Sequence, residues 1–528
     1  MANAPHDHVH RLIRSMSRAE KRYFKLYTSR HLVGGHSNHQ TLFDAIAAME
    51  SYDEAALLQR FESEAFTRRF PITKRRLYEA ILASLDAFHA DGSVDARLRR
   101  MLHQAELLHQ RALYADAARM LRSVRQLARQ HDRQTVLLDV LERERRLLER
   151  ANYAGTDAAT VEHLAEEGRA LREELEQVEA LWSLKSRCML LIYRSGHVRG
   201  EAEQRAMQAM LTHPLLTPGA SLLTAKARFL HHHVLSALAF AQGDLAGCAG
   251  HLAANHALLR AEEPCFQDEP NLLFSVLSNR IYVLSRLGRT DETEALLREF
   301  RMLPATLPQA PSADLEVKVF ATGASLELAM LARQGDFTKG VERTAAIEER
   351  MAHHDARLGP LRKAGLLFQL AYVHLGAGLP DKALRYSHRQ LSEGPVDADT
   401  EVHRFGRLLN LLILLDLGRR ELLPTALRST MRMLGGHGQD RPLERALLTL
   451  VNELLKARTP ASERVACDQA MATLLALEHD PREQAVHDHF DPLAWVEARR
   501  TGRPLAEVVR QRAQAASPLG GGKGRRAA

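Results

Sequence analysis

The sequence contains few cysteines, the residues that cross-link a fold through disulfides or bound metal ions. Only four of its 528 residues are cysteine, and no two of them form a CxxC pair. They stand far apart, at Cys188, Cys248, Cys265 and Cys467. This spacing indicates neither a disulfide framework nor a zinc site, and it fits a reducing compartment.

Long hydrophobic runs are also missing. The longest, residues 408–417, is interrupted by Asn410 and Asp416 and is shorter than the roughly 20 residues that span a bilayer. The N-terminus has no apolar segment of the kind found in signal peptides. We therefore expect a cytoplasmic protein that does not bind to a membrane.

No set of residues indicates catalysis or a bound cofactor. A nucleophile, a base and an orienting group cannot be nominated together. The consecutive His231, His232 and His233 would point about 100° apart on a helix and cannot all face one metal ion. The tail sequence GGGKG is no phosphate-binding loop, because Gly524 follows Lys523 where Ser or Thr belongs. We predict a non-enzymatic protein without catalytic, metal-binding or cofactor-binding residues.

What the chain does contain favours helices. Aromatic residues make up 5% of the sequence, whereas Leu, Ala, Arg and Glu are abundant. Apolar residues recur at helical spacing through most of the chain, and the leucine-rich segment 402–417 is predicted to be a fully buried helix. Because 528 residues exceed one ordinary core, several domains or an elongated repeat are expected. The predicted fold class is all-α.

Small residues recur between the apolar segments at intervals of 40–47 residues. Glycine accepts the positive φ that ends a helix, so each such position is expected to join two antiparallel helices. The clearest copy is LARQGDF, Leu331–Phe337, in which Asp336 is expected to cap the second helix. The predicted turns are at Ala112, Gly155, Gly196, Gly243, Gly288, Gly335, Gly378 and Gly418.

These turns resemble those of tetratricopeptide repeats, in which a glycine is followed by an aromatic or aliphatic residue and then by a small residue. The best copies are GDF at 335–337 with Gly340, GDL at 243–245 with Cys248, GLPDKA at 378–383 and ALYADA at 112–117. The resemblance implies a right-handed superhelix, or solenoid, of antiparallel helix hairpins. The period exceeds the usual 34 residues and the other repeat positions are irregular, so we expect a divergent, long-helix relative.

Two further stretches resemble, together with the helical middle, a family of uncharacterised bacterial proteins. They are MSRAEKRYFKLYTSRH at residues 16–31 and FDPLAWVEARRTGRPLAEVV at residues 490–509. The resemblance covers the whole chain and implies no activity.

Composition and turn signals predict four parts. They are a basic helical module at residues 1–92, tetratricopeptide-like repeats at 95–480, a C-terminal helical cap at 481–515 and a disordered basic tail at 516–528. Capping residues predict several helix starts. These are Ser17 with Glu20, Ser51 with Glu54, Thr73, and Asp491 before Pro492, whose helix Gly502 should end.

Positive charge is concentrated in the N-terminal module. The net charge of the chain is +7, but residues 11–30 alone carry +6 and residues 68–76 carry +5. The second group is the candidate binding site for an anionic partner, nucleic acid or an acidic protein segment, and consists of Arg68, Arg69, Lys74, Arg75 and Arg76.

A helix that starts at Thr73 would place residues 74–76 at the positive end of its dipole, at a cost of about 0.3 to 1 kcal/mol. Either an anionic partner compensates this charge, with Tyr78 as an aromatic surface, or acids of the same module do so. The candidate acids are Asp53, Glu54, Glu62 and Glu64.

The sequence thus favours a non-enzymatic helical-repeat scaffold that binds an unidentified protein or peptide partner. The alternative is a nucleic-acid-associated regulator in which the basic module contacts phosphates. A helix-turn-helix formed by residues 54–62 and 74–88 is disfavoured, because its connector contains Pro71 and is longer than the usual three or four residues.

Overall fold

The computed structural model describes residues 7–29, 38–195, 201–307, 312–393, 400–435, 442–478 and 489–516. Within these residues all regular structure is helical, which confirms the all-α class. None of the helices in these ranges is long and apolar enough to cross a membrane. The predicted turn at Gly196 and the basic tail after Ala516 lie outside them.

The chain forms two compact units, Met1–Leu171 and Arg172–Ala528. The first has two hydrophobic cores, one built by residues between Val9 and Ile81 and the other by residues from Val94 to Leu171. Its helices are α1 (His8–Ser15), α2 (Arg18–Ser29), α3 (Asn38–Ala47), α4 (Glu54–Arg60), α5 (Phe70–Phe88), α6 (Val94–Gln110), α7 (Tyr114–Gln130), α8 (Gln134–Arg150) and the first part of α9 (Ala158–Ser195). A 3-10 helix, Ala65–Arg69, precedes α5.

The second unit continues from α9 with helices that pack mainly on their neighbours in sequence. Its helices up to residue 333 are α10 (Glu201–Leu211), α11 (Ala225–Ala241), α12 (Leu245–Ala261), α13 (Glu263–Phe266), α14 (Pro270–Arg286), α15 (Thr290–Thr306) and α16 (Ala313–Arg333). A 3-10 helix, Pro214–Leu216, precedes α11.

Helices of 4 to 18 residues follow in the rest of this unit. They are α17 (Phe337–Glu342), α18 (Thr344–His353), α19 (Asp355–Leu358), α20 (Pro360–Gly376), α21 (Pro380–Ser392), α22 (Glu401–Asp416), α23 (Leu423–Gly435), α24 (Pro442–Lys456), α25 (Pro460–Leu477), α26 (Pro492–Thr501) and α27 (Leu505–Ala516). Residues 490–509, assigned by the sequence to a separate cap, share one hydrophobic core with residues 317–474.

The predicted hairpin turns are present at every position that the structure describes. All seven have positive φ, between 58° and 80°: Ala112, Gly155, Gly243, Gly288, Gly335, Gly378 and Gly418. At Gly335 the next backbone N–H, of Asp336, donates to the carbonyl of Leu331 at 2.9 Å, and Leu379 donates to His374 in the same way. This bond is typical of the Schellman motif that ends a helix.

Two features of the repeat differ from the prediction. Asp132 and Asn152 also have positive φ, so that turns occur at 20-residue intervals from Ala112 to Asn152 and separate two helices of 17 residues. Asp and Asn tolerate this conformation better than most residues, but a search for small residues overlooks them. In addition, the interval after Gly155 contains the single 38-residue helix α9, where the period predicts a helix pair.

The helix starts at Ser17 and Asp491 are confirmed. The backbone N–H of Ser17 donates to Glu20 at 2.6 Å and that of Glu20 donates to the Ser17 hydroxyl at 3.2 Å, as a capping box requires. Asp491 accepts from the N–H of Ala494 at 2.9 Å, and Gly502 ends the helix with φ of 70°.

Two other predicted starts are wrong. The cap of α4 is Asp53, not Ser51, since its carboxylate accepts from the backbone N–H of Ala56. Helix α5 begins at Phe70, because Pro71 fits the first turn of a helix, where its missing N–H costs no hydrogen bond. Thr73 is therefore inside the helix, and its hydroxyl donates weakly to the Arg69 carbonyl at 3.3 Å.

Helices α20 and α22 are deeply buried. In α20 the run Leu366–Gly376 is buried without interruption, and in α22 ten of the fourteen residues from Val402 to Leu415 are buried. The prediction of a fully buried helix at residues 402–417 is confirmed only in part, because ten of these residues are buried, whereas His403, Arg404, Arg407, Asn410 and Leu417 are half-buried and Asp416 is exposed.

Candidate partner-binding surfaces

Lys74, the central residue of the predicted anionic-partner site, forms ion pairs with acidic residues of the first unit. Its ammonium group lies 2.7 Å from Glu54 and 2.9 Å from Asp7, and it donates to the hydroxyl of Tyr52. Only 15% of the side chain is exposed. Burial opposes the charge of Lys74, but the hydrogen bonds to Glu54 and Asp7 outweigh it and raise the pKa. Lys74 is therefore a structural residue.

The other four basic residues of this group are exposed. Arg75 pairs with Glu79 one helical turn away, at 2.9 Å. Arg68, Arg69 and Arg76 make no ion pair with any residue that the structure describes. They provide a small basic surface, which we call the arginine ridge.

Because α5 starts at Phe70, the predicted effect of the helix dipole on residues 74–76 is wrong. Lys74, Arg75 and Arg76 lie in the second turn of the helix, where the dipole effect has largely decayed. The residues nearest its positive end are Arg68 and Arg69, in the preceding 3-10 helix. Tyr78, the expected aromatic surface, is half-buried, and its ring packs edge-on against His8.

In the second unit the start of the C-terminal segment, at Phe490 and Asp491, packs on α20 and α22. The ring of Phe490 lies within 6.5 Å, centroid to centroid, of Phe368, Tyr372 and Phe405. The backbone N–H of Asp491 donates to the hydroxyl of Tyr372 at 3.1 Å. These contacts cover part of the apolar surface of both helices.

The same segment is anchored at the end of α22. The indole N–H of Trp495 donates to Asp416 at 3.0 Å, and the guanidinium of Arg499 lies 3.2 Å from the other oxygen. Burial raises the pKa of the Asp416 carboxyl, although these two partners act in the opposite direction. Trp495 is 3% exposed, so the contact belongs to the core.

Helix α27 packs against the turn at Gly335. Arg510 donates to the carbonyl of Gly335 at 3.2 Å. A methyl group at Gly335 would lie 2.6 Å from the carbonyl oxygen of Ala506, closer than real contacts allow. Asp336 stands at the predicted N-cap of α17, but its side chain makes no capping bond and pairs with Lys339 instead.

Helix α16 consequently has two different faces. Ala329, Ala332 and Arg333 line the space beside Tyr372 and the C-terminal segment. Phe320 and Glu327, which lie on the opposite face by helical periodicity, line an open cleft. One face lies beside the C-terminal segment, with a cavity of about 230 Å³ between them, while the other face lines a larger cleft.

The open cleft has a volume of about 430 Å³ and lies over α16, between the end of α15 and helix α18. Its floor is apolar and includes Phe320, Gly323 and Ala324, all buried. Its rim is charged and includes Arg301, Glu316, Glu327, Arg343, Arg350 and His354. We call it the arginine cleft.

Glu327 organises one end of the arginine cleft. Its side chain is 13% exposed and pairs with both Arg301 and Arg343, the latter at 3.2 Å. Arg350 instead lies over the ring of Phe320, 4.5 Å from its centroid, and forms no ion pair with a described residue. Burial, together with the charges of His353 and Arg350, lowers the pKa of His354.

The sequence did not single out the residues of the arginine cleft. Arg301 is far from Arg343 and Arg350 in the chain, and only the packing of α15 and α18 on α16 brings them together. The available signal was the seven-residue spacing of Arg343 and Arg350, which places two arginines on one helix face.

The three consecutive histidines point to different partners. His231 contacts the carbonyl of Leu215 at 2.7 Å, His232 contacts His251 at 3.2 Å, and His233 stacks on Phe229. Burial, followed by nearby positive charge, lowers the pKa of both His232 and His233 to about 4. Among the described residues there is no group of three or more ligands that could hold a metal ion.

No protein-family model matches the sequence, and no curated protein is detectably similar to it. The resemblances to tetratricopeptide repeats and to a bacterial family therefore stay predictions.

Proposed function

We propose that the protein is a cytoplasmic, non-enzymatic scaffold that binds a protein or peptide partner through tetratricopeptide-like hairpins, stacked in a right-handed superhelix. The observation that supports this most is the contrast between the two faces of α16. One face is fixed by the C-terminal segment, while the other presents the arginine cleft.

A rigid support favours recognition because a preformed surface loses little entropy when it binds. Helix α16 is held from behind by α27, through the contact of Arg510 with the Gly335 turn. It is also packed on α15 and α20. The arginine cleft is therefore built on helices that need not rearrange to receive a partner.

The test is co-purification of the full chain from its own cells, followed by light scattering on the purified complex. A partner present in a fixed stoichiometric ratio is the expected result. A chain that purifies alone at physiological salt, and shows no partner after chemical cross-linking in cells, would overturn the proposal.

A second candidate function is supported by the arginine ridge. Arg68, Arg69 and Arg76 are exposed and unpaired among the described residues, as contact with nucleic-acid phosphates requires. In this alternative the protein is a nucleic-acid-associated regulator.

The alternative is tested by titrating labelled DNA and RNA with the full chain at several salt concentrations. Charge reversal of Arg68, Arg69 and Arg76 should flatten the salt dependence by roughly 0.9 in log–log slope for each phosphate that the variant no longer neutralises. The matched control reverses Arg97, Arg99 and Arg122, which are also exposed arginines of the first unit. Lys74 is left intact, because its loss would disturb the fold. Equal effects of the two triple variants would remove this alternative.

A further inference from the structure

We propose that the arginine cleft binds an acidic segment of the partner protein, in an extended conformation. The inference rests on the proposed scaffold function and adds to it the site and the chemistry of the partner. It uses the face of α16 that the C-terminal segment leaves open.

The first step is the charge at the Glu327 end of the cleft. One carboxylate serves two guanidinium groups, those of Arg301 and Arg343. Each guanidinium has five N–H donors, so both arginines keep donors that Glu327 does not use. Glu327 thus fixes the positions of the two arginines and leaves a net positive charge.

The second step is the placement of Arg350. Its guanidinium is held against the face of Phe320 and faces no carboxylate partner among the described residues. An arginine that stacks on a ring keeps its edge available for a bidentate contact with a carboxylate. Arg350 is thus a preoriented anchor for an anionic group.

The spacing of these anchors suits an extended chain. Arg343 and Arg350 are seven residues apart, which corresponds to roughly 10 Å along a helix. A strand rises about 3.3 Å per residue, so two carboxylates two to four residues apart reach both anchors. The apolar floor beneath them can take the aliphatic part of the intervening side chains.

Glu316 limits where the acidic segment can lie. It is eleven residues before Glu327 on α16, roughly 16 Å away along the helix axis, and it interacts with His354. Its negative charge opposes an anionic ligand at that end of the cleft. Removal of this charge should therefore strengthen binding.

The test uses a fluorescein-labelled peptide in which glutamate alternates with glycine, with the glutamine version of the same peptide as the ligand control. Fluorescence anisotropy with the full chain at low salt should show binding of the glutamate peptide only. The triple variant Arg301→Gln, Arg343→Gln, Arg350→Gln should bind about tenfold more weakly, since it removes three charged contacts with the peptide.

Two single variants sharpen this test. Glu316→Gln should bind the glutamate peptide about two- to threefold more tightly. Arg350→Lys keeps the positive charge but lacks the planar guanidinium that can bind a carboxylate through two N–H groups. This variant should therefore retain part of the affinity. Both lie on exposed side chains, and thermal melts equal to that of the natural chain establish that the fold is intact.

Several results would overturn the inference. They are equal binding of the glutamine peptide, unchanged binding in the triple variant, or a preference of the cleft for single-stranded DNA over the glutamate peptide. If a cellular partner co-purifies equally well with the triple variant, the scaffold function stands and the cleft is not its site. If no partner co-purifies with the natural chain, the scaffold function itself fails.

Discussion

Helices α7 and α8 of the first unit and helices α20 and α22 of the second achieve stability in different ways. The former bury a single stripe and connect their outer faces through ion pairs, such as that of Arg125 with Glu144 and Glu167. The latter are mostly buried, and Phe490, which follows α22 by 74 residues and α20 by 114 residues, packs on both. Both pairs of helices have apolar cores, but ion pairs link the first pair to its neighbours, whereas apolar contacts cover a larger part of the second.

The largest loss of unfolding free energy is expected for substitution of Trp495, which belongs to the core shared with α20 and α22. Trp495→Ala would leave a cavity under the C-terminal segment and remove the hydrogen bond to Asp416, so we expect a loss of about 3 to 5 kcal/mol in unfolding free energy. The matched control is the other tryptophan, Trp182, which is 53% exposed and should cost less than about 0.5 kcal/mol. Urea unfolding followed by circular dichroism measures both. Similar losses for the two variants would show that packing of the C-terminal segment contributes little to the stability of the second unit.

The next effect distinguishes two glycine turns. Gly335 and Gly378 have the same φ of 73°, but only Gly335 faces another helix, α27. Gly378→Ala should cost about 1 kcal/mol through backbone strain, and Gly335→Ala about 3 kcal/mol, because it adds a steric clash with Ala506. Denaturant midpoints provide the measurement.

A double-variant cycle assigns the excess cost of Gly335→Ala. In the Trp495→Ala background the packing of the C-terminal segment is weakened, so the difference between the two glycine variants should shrink. A difference that stays unchanged would place the strain within the turn itself.

In the first unit the expected effect is smaller and electrostatic. Lys74→Met would leave Asp7 and Glu54 without their cation, and we expect a loss of about 2 kcal/mol. Arg76→Met, on the same helix but exposed, should change the unfolding free energy by less than about 0.5 kcal/mol. Hydrogen exchange of residues 8–88 within the full chain reports this local stability. Equal protection in the two variants would contradict a structural role of Lys74.

The smallest effect is a dependence on pH. Burial raises the pKa of Asp7, but the bonds from Lys74 and from the N–H groups of His10 and Val9 outweigh it and bring the pKa below 3.8. Because the folded pKa is lower than the unfolded one, this stabilisation is complete above pH 3.8 and is lost as the pH falls through the folded value. In Asp7→Asn the unfolding free energy of residues 8–88 should therefore fall less steeply as the pH decreases. An unchanged slope would show that Asp7 does not titrate in this way.

Local features were predictable from the sequence. The turn glycines, the capping box at Ser17 and the cap at Asp491 depend on residues within a few positions of each other, and the structure confirms them. The sequence predicts the start of α5 wrongly, because Pro71 indicates an interruption, although proline is also compatible with the first turn of a helix.

Contacts between distant residues were not predictable. Glu54 was among the acids proposed to neutralise the basic module, but Asp7, the second partner of Lys74, was not, because it is 67 positions away. The apolar sequence of α22 showed that something must cover it, without indicating that residues 490–496 do so. The arginine cleft likewise depends on three helices whose packing no local pattern specifies.

The covering of α22 by α26 also has a consequence for biosynthesis. Some 74 residues separate Asp416 from Phe490, and a ribosome adds roughly 5 to 20 residues per second, so α22 is complete several seconds before its cover has been made. During that interval α22 can pack on α20, α21, α23 and α24, but the apolar surface that contacts Phe490 still lacks its cover. That surface is therefore exposed to solvent or to a chaperone late in translation.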